Sequence, residues 1–184
     1  MWFTETSGNR IGRITTAGTI TEPATLADNS FPIGITVGSD GALWFSEYCA
    51  DKLGRVTTAG TLTEPLILAS GTRPAGVAAG DSTIWLAGRY ANSVVNYQMG
   101  NGVYNELATP TTSSFPWGIA TGLDGAAWFT ECYANRIGRM TTLGSISDSY
   151  TIPTASSAPF GIALGPDGAF WFTEYAGNKI GRLQ

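Results

Sequence analysis

The chain has 184 residues, 43% of them apolar and 13% charged, with 24 glycines, 9 prolines and a net charge of −4. This profile of short strands and tight turns excludes a disordered chain, and at this length a fold buries roughly 70% of its unfolded surface without needing disulfide or metal staples. No stretch approaches the roughly 18 apolar residues of a membrane helix and no basic-then-apolar leader precedes the first motif, so a soluble protein with no membrane partner is expected; the acidic balance argues against nucleic acid.

The first element, Trp2-Phe3-Thr4-Glu5, returns as Trp44-Phe45-Ser46-Glu47, Trp128-Phe129-Thr130-Glu131 and Trp171-Phe172-Thr173-Glu174, with a worn copy at Trp85-Leu86-Ala87-Gly88. The motif tryptophans stand 42, 41, 43 and 43 residues apart, which is the length of one four-stranded propeller blade. The expected fold is all-β: a single β-propeller domain of four-stranded antiparallel blades, about 42 residues per repeat, with incomplete blades at both ends. Its units are a partial blade over residues 1–31, blades over about 32–73, 74–115 and 116–157, and a partial blade over 158–184.

The second unit shows the expected pattern. Pro32 to Gly38 forms strand a, and Ser39-Asp40-Gly41 turns the chain. Ala42 to Glu47, apolar on both faces, forms strand b between two neighbouring blades. Lys52 to Thr57 forms strand c. Thr61 to Pro65 carries a charge and a proline, features that block edge-to-edge pairing, and forms the outermost strand d. If Glu47 and Asp51 close the b–c loop as a pair, Trp44 falls opposite Gly54, and likewise Trp2 opposite Gly12, Trp128 opposite Gly138 and Trp171 opposite Gly181. An indole over a cross-strand glycine covers exposed backbone. In the worn unit the partner becomes Val95, so its tryptophan is expected to tilt or shift and its unit to pack less regularly.

Eighteen strands follow, with b and c present at both termini, so the ends cannot complete each other. A five-bladed ring with two three-stranded blades, a segment of a larger ring, and an assembly of copies all fit. Exposed apolar blade faces favour an incomplete or oligomer-completed propeller and self-association. Eight of the ten cations, Arg10, Arg13, Lys52, Arg55, Arg136, Arg139, Lys179 and Arg182, occupy two repeated positions and so belong to the scaffold. Cys49 and Cys132 lie in the same loop of units two apart, beyond the roughly 7 Å between α-carbons that a disulfide spans, and are expected as free thiols.

The segments Gly38-Ser39-Asp40-Gly41-Ala42-Leu43-Trp44-Phe45-Ser46-Glu47 and Asn135-Arg136-Ile137-Gly138-Arg139 resemble the virginiamycin B lyase (streptogramin B lyase) family of β-propellers, over essentially the whole chain. The resemblance implies a seven-bladed ring, of which between four and five blades are present here. It also implies a lyase that opens a cyclic depsipeptide antibiotic by elimination at its ester bond, using histidines, a glutamate and Mg2+. The glutamate matches Glu5, Glu47, Glu131 or Glu174, but the chain has no histidine to serve as base. The expected function is therefore a non-catalytic scaffold or binding module, with Mg2+ relevant only to the lyase alternative. No serine or cysteine nucleophile has a histidine to activate it.

The candidate site is the loop face. Glu5, Glu47, Glu131 and Glu174 end strand b there and either ring a hydrated cation or cap their own loops and pair with basic side chains such as Arg10 or Lys52. The variable position of the Pro-x-Gly motif, Ile33, Ala75, Trp117 and Phe160, opens the innermost strands. Trp117 and Phe160, with Tyr133 and Tyr175, offer an aromatic surface for a small-molecule or peptide ligand, or simply plug the channel mouth. Arg89 and Tyr90 of the worn unit change the charge of the loop face and mark either a binding spot or drift.

Overall fold

The computed structural model describes residues 1–184, the side chains of residues 148 and 149 apart. Eighteen strands form five antiparallel sheets, each made of consecutive strands. The first blade holds β1 (Trp2–Glu5), β2 (Arg10–Ile14) and β3 (Ile20–Thr25). Three four-stranded blades follow: β4 (Pro32–Val37) to β7 (Leu62–Ile67) through β5 (Leu43–Glu47) and β6 (Lys52–Val56); β8 (Pro74–Ala79), β9 (Thr83–Gly88), β10 (Ser93–Gln98) and β11 (Tyr104–Ala108); and β12 (Pro116–Thr121), β13 (Ala127–Glu131), β14 (Arg136–Met140) and β15 (Ile146–Thr151). The fifth blade holds β16 (Pro159–Leu164), β17 (Phe170–Glu174) and β18 (Lys179–Leu183). This is the β-propeller architecture, with three-stranded sheets at both ends. The first strands of blades two to five, β4, β8, β12 and β16, run side by side along the inner edge.

The core lies between blades. Ile11, Ala24 and Leu26 of the first blade meet Leu43, Phe45 and Val56 of the second. Leu53 and Leu66 meet Leu86 and Val95, Trp85 and Val94 meet Phe129 and Met140, and Ile137 meets Phe172. Strand b is therefore apolar on both faces because each face covers a different neighbour. A fully buried Phe45 or Phe129 contributes about 1.5–3 kcal/mol by its burial.

Each letter of the Trp-Phe-Thr-Glu motif has its own contact. The b–c loop closes on a Glu47–Lys52 pair, not on Glu47–Asp51, because Asp51 turns the chain in the left-handed region at φ 55°. The register moves by one residue, and a one-residue slip exchanges the faces of a strand. Phe45, not Trp44, faces Gly54, and the same holds for Phe3 with Gly12, Phe129 with Gly138 and Phe172 with Gly181. A β-carbon at Gly54 would stand 2.2 Å from the Phe45 ring, so the glycine exists to admit the phenyl. In the third blade the facing pair is Leu86 and Val95, the smaller ring-free side chain opposite the larger strand residue. Trp85 is nonetheless fully buried and its blade keeps all four strands; the irregularity expected of this unit lies in its hydrogen bonds.

Tryptophan and the fourth residue of strand c form a clamp with the a–b turn. The Trp44 indole donates to Asp40 Oδ1 at 3.0 Å, Arg55 Nε donates to Asp40 Oδ2 at 2.8 Å, and the guanidinium lies 5.7 Å from the indole centre. Burial raises the Asp40 carboxyl, but hydrogen bonds from Trp44 and Arg55 outweigh it and hold the group below its ordinary range. Trp171, Asp167 and Arg182 repeat the clamp, and Arg139 pairs with Asp124 beside Trp128. The third blade lacks the arginine, having Asn96 there, and the buried Trp85 N–H is left without a partner.

The third motif residue stitches blade to blade. Thr130 Oγ1 accepts the Gly118 N–H at 2.9 Å in its own blade and donates to the Phe160 carbonyl of the next at 2.8 Å. Ser46 bridges Gly34 and Ala75 in the same way, and Thr4 reaches the Ile33 carbonyl. A β-carbon on Gly118 would meet that Phe160 carbonyl at 2.3 Å, which explains the glycine of Pro-x-Gly. Ala87 carries no hydroxyl, so this stitch is missing between the third and fourth blades.

Candidate functional site

The b–c loops and the loops leading into strand a converge on one face. Asn9, Asp51, Asn92, Asn135 and Asn178 all turn the b–c loop with positive φ. The side chains of the first four tie down the segment entering the next blade: Asn9 Oδ1 accepts from Phe31 N, Asp51 from Gly71 N and Arg73 N, Asn92 from Phe115 N, and Asn135 from Ser157 N. As a result the residue before each strand-a proline is itself left-handed, at Phe31, Arg73, Phe115 and Ala158, with φ between 49° and 52°. Non-glycine residues adopt this conformation uncommonly, and clusters of them accompany functional surfaces.

On that frame the third blade builds a cluster of cations and rings. Arg89 lies 4.5 Å from the Trp117 ring centre and 5.3 Å from that of Tyr90, and its Nη1 donates to the Tyr48 hydroxyl at 3.0 Å. Arg73 lies 5.7 Å from the Tyr48 ring and donates to Cys49 Sγ at 2.9 Å. Rings continue from Tyr90 to Phe115 and Tyr133, with centres 5.5 and 4.5 Å apart, while Trp117 stacks on Phe160 at 4.4 Å and Phe160 reaches Tyr175 at 6.1 Å. Tyr90, Tyr133, Phe160 and Tyr175 are exposed. Burial raises the Tyr48 phenol above its ordinary pKa while the adjacent Arg89 pulls it down. Burial pushes the Cys132 thiol up to about 11, with Arg89 again opposing, and its Sγ donates to the Pro159 carbonyl.

Of the residues expected at the site, Arg89, Tyr90, Trp117 and Phe160 come together, and the four glutamates do not. Glu47 and Glu131 are fully buried, Glu174 is nearly so, and Glu5 is half-buried, each inside its own blade. The Glu47 and Glu5 carboxylates fold over the strand-c glycine, 2.9 Å from where its β-carbon would be. Burial pushes the Glu47 carboxyl above its ordinary value, an effect opposed by the neighbouring Ser30 hydroxyl and by Lys52; neither oxygen makes a well-formed hydrogen bond. The basic residues proposed as their partners are engaged elsewhere, Arg10 with Glu22 and Lys52 with Glu64 at 2.6 Å, both acids on strand d. No group of three or more acidic, cysteine or histidine side chains able to hold a metal forms among the described residues, so the residues present do not assemble the magnesium site that the resemblance implies. In the third blade Glu106 of β11 turns inward instead, accepting from Ser93 at 2.7 Å and Thr72 at 3.1 Å, and occupies the place that Gly88 vacates.

Tyr48, Arg73 and Phe115 are members of the cluster that motif reading does not single out. A signal existed for one: after the eight scaffold cations are set aside, Arg73 and Arg89 are the two that remain.

Radial antiparallel sheets with one decorated loop face define a β-propeller whose variable residues gather at the inner mouth. The Virginiamycin B lyase family model matches residues 1–184, and the chain belongs to that family. It is similar to virginiamycin B lyase from Staphylococcus aureus, at 40% identity with a TM-score of 0.92, and equally to a catalytically inactive histidine-to-alanine form of that enzyme with quinupristin; it covers 100% of this chain and 62% of those. A streptogramin B lyase structure matches at 36% identity and a TM-score of 0.88, over 100% of this chain and 64% of that one. The chain thus spans less than two thirds of the length of these relatives. No curated protein sequence matches it. No helix is long and apolar enough to cross a membrane among the described residues.

Proposed function

We propose that this chain is a non-catalytic propeller module that binds a small molecule or peptide through its loop face. The observation that carries this reading is the Arg89–Trp117–Phe160 stack at the inner mouth, in a chain without histidine. Elimination next to an ester carbonyl needs a base poised near neutral pH and a stabiliser for the developing negative charge. Glu47 and Glu131 are buried beneath the face, away from any substrate resting on the rings. A stacked, cation-backed aromatic surface binds flat apolar groups without further machinery.

The lyase reading is favoured by the 40% identity to the staphylococcal enzyme over the whole chain. Incubation with quinupristin and Mg2+, followed by mass spectrometry and calorimetry, separates the two. Saturable heat with no linear product supports the binding module; a linear product overturns it. The outer face of the fifth blade, where Trp171 is 41% and Ile180 64% exposed, supports self-association of this chain in solution.

A further inference from the structure

We infer that the loop face selects aromatic anions, with Arg73 and Arg89 receiving the negative group and Tyr48 and Tyr90 holding the ring; this rests on the loop-face reading above. Arg73 and Arg89 are the two cations outside the scaffold positions, and both reach the same residue, one over the Tyr48 ring and the other at its hydroxyl. A cleft of about 410 Å³ lies there, lined by Tyr48, Gly71, Arg73 and Tyr90. Both arginines are half-buried, and neither takes part in an ion pair among the described residues. Asp51 is the neighbouring acid, and both its oxygens are committed to the N–H groups of Gly71 and Arg73.

A half-buried guanidinium without a counter-ion is a standing cost, and two beside one ring form a receptor awaiting negative charge. Each spends one side-chain N–H on the protein, Arg73 on the weak acceptor Cys49 Sγ and Arg89 on Tyr48, which leaves donors in the fork geometry that matches a carboxylate. The rings supply the other half of the specificity. Tyr48 and Tyr90 wall the cleft and Arg89 lies over the Tyr90 ring, so an incoming flat group meets a ring already polarised by a cation, while Trp117, with Arg89 at 4.5 Å and Phe160 at 4.4 Å from its ring centre, backs the guanidinium. In the other blades the corresponding loop positions are Phe31, Phe115 and Ala158 for Arg73, and Thr6, Tyr48, Cys132 and Tyr175 for Arg89, none of them charged, so the receptor belongs to this blade.

The test is a calorimetric titration with 2-naphthoate and its neutral isostere 2-naphthamide. We expect naphthoate to bind about tenfold tighter, the difference that a charge-assisted hydrogen bond supplies. Raising sodium chloride from 50 to 500 mM should shrink that preference without changing amide binding. Arg73→Gln and Arg89→Gln should each reduce naphthoate to near the affinity of the amide, while Arg89→Lys keeps part of the preference; the salt arm needs no variant and reads out even where one misfolds. Equal affinity for both probes overturns the anion receptor and leaves an aromatic-binding loop face. A preference that survives both glutamine variants overturns the assignment to these arginines. Binding of neither probe overturns the receptor and the loop-face reading together.

Discussion

Replacing Gly54 by valine in the second blade, with and without Phe45→Leu, tests the central packing device of the repeat. In the wild type a β-carbon at Gly54 would lie 2.2 Å from the Phe45 ring and 2.9 Å from Glu47 Oε1, where ordinary contact begins near 3.4 Å. The ring would have to retreat by more than an ångström, yet it is fully buried against the first blade. Overpacking of that kind costs about 1–3 kcal/mol. Phe45→Leu alone leaves a void and costs about 1–2 kcal/mol, less than the 3–5 kcal/mol of a full truncation to alanine. The double variant recreates the Leu86–Val95 pair of the third blade, so its cost should be near that of the leucine change alone. The expected coupling is about 1–3 kcal/mol, or several degrees in melting temperature for a chain of this size. Urea unfolding followed by circular dichroism measures the four corners of the cycle. Additive costs would refute the claim that phenyl and glycine are matched to each other.

Three further outcomes follow from the same contacts. Thr130→Val strands the Gly118 N–H and the Phe160 carbonyl; it should cost about 1–3 kcal/mol and speed hydrogen exchange at Gly118, whereas Ala87→Thr should not weaken the fold comparably. Folding raises the Glu47 pKa, so its contribution is fully present below the ordinary value of 4.5 and is lost as pH rises through the folded value; Glu47→Gln should raise the urea midpoint at pH 7, with the gain vanishing below pH 4.5. A midpoint difference that is flat with pH would sink that account. Cys132, with its thiol pushed up to about 11, should react with iodoacetamide far more slowly than a free thiol at pH 8 and still be accelerating at pH 10.

How much of this was legible in the sequence differs by level. The spacing of Trp2, Trp44, Trp85, Trp128 and Trp171 sufficed for the blade and for the strand count, because blade length is set by four strands and their turns. The partner of Gly54 was not legible, since it depends on one residue of loop length, and that is decided by the left-handed turn at Asp51. Arg89, Tyr90, Trp117 and Phe160 could be found because they depart from a repeat that predicts something else. Tyr48 and Phe115 could not: each is an unremarkable loop aromatic until the Asx ties bring neighbouring loops side by side. The glutamates misled because their regular recurrence at strand ends reads as display, whereas Glu47, Glu131 and Glu174 are buried and Glu5 and Glu47 bend back over the strand-c glycine of their own sheet.

The left-handed residue ahead of every strand-a proline has a consequence for how such a surface changes over time. An Asx side chain accepts from the N–H of this residue at Phe31, Arg73 and Phe115 and from the preceding Ser157 N–H at Ala158, a proline ring follows it, and these four unlike residues occupy the position with φ within a few degrees of one another. Each of the four blades that has a strand a therefore offers a socket that accepts unlike pegs. Swapping a peg alters the side chain the mouth presents while the wheel beneath keeps its shape, so the surface can be rewritten one codon at a time.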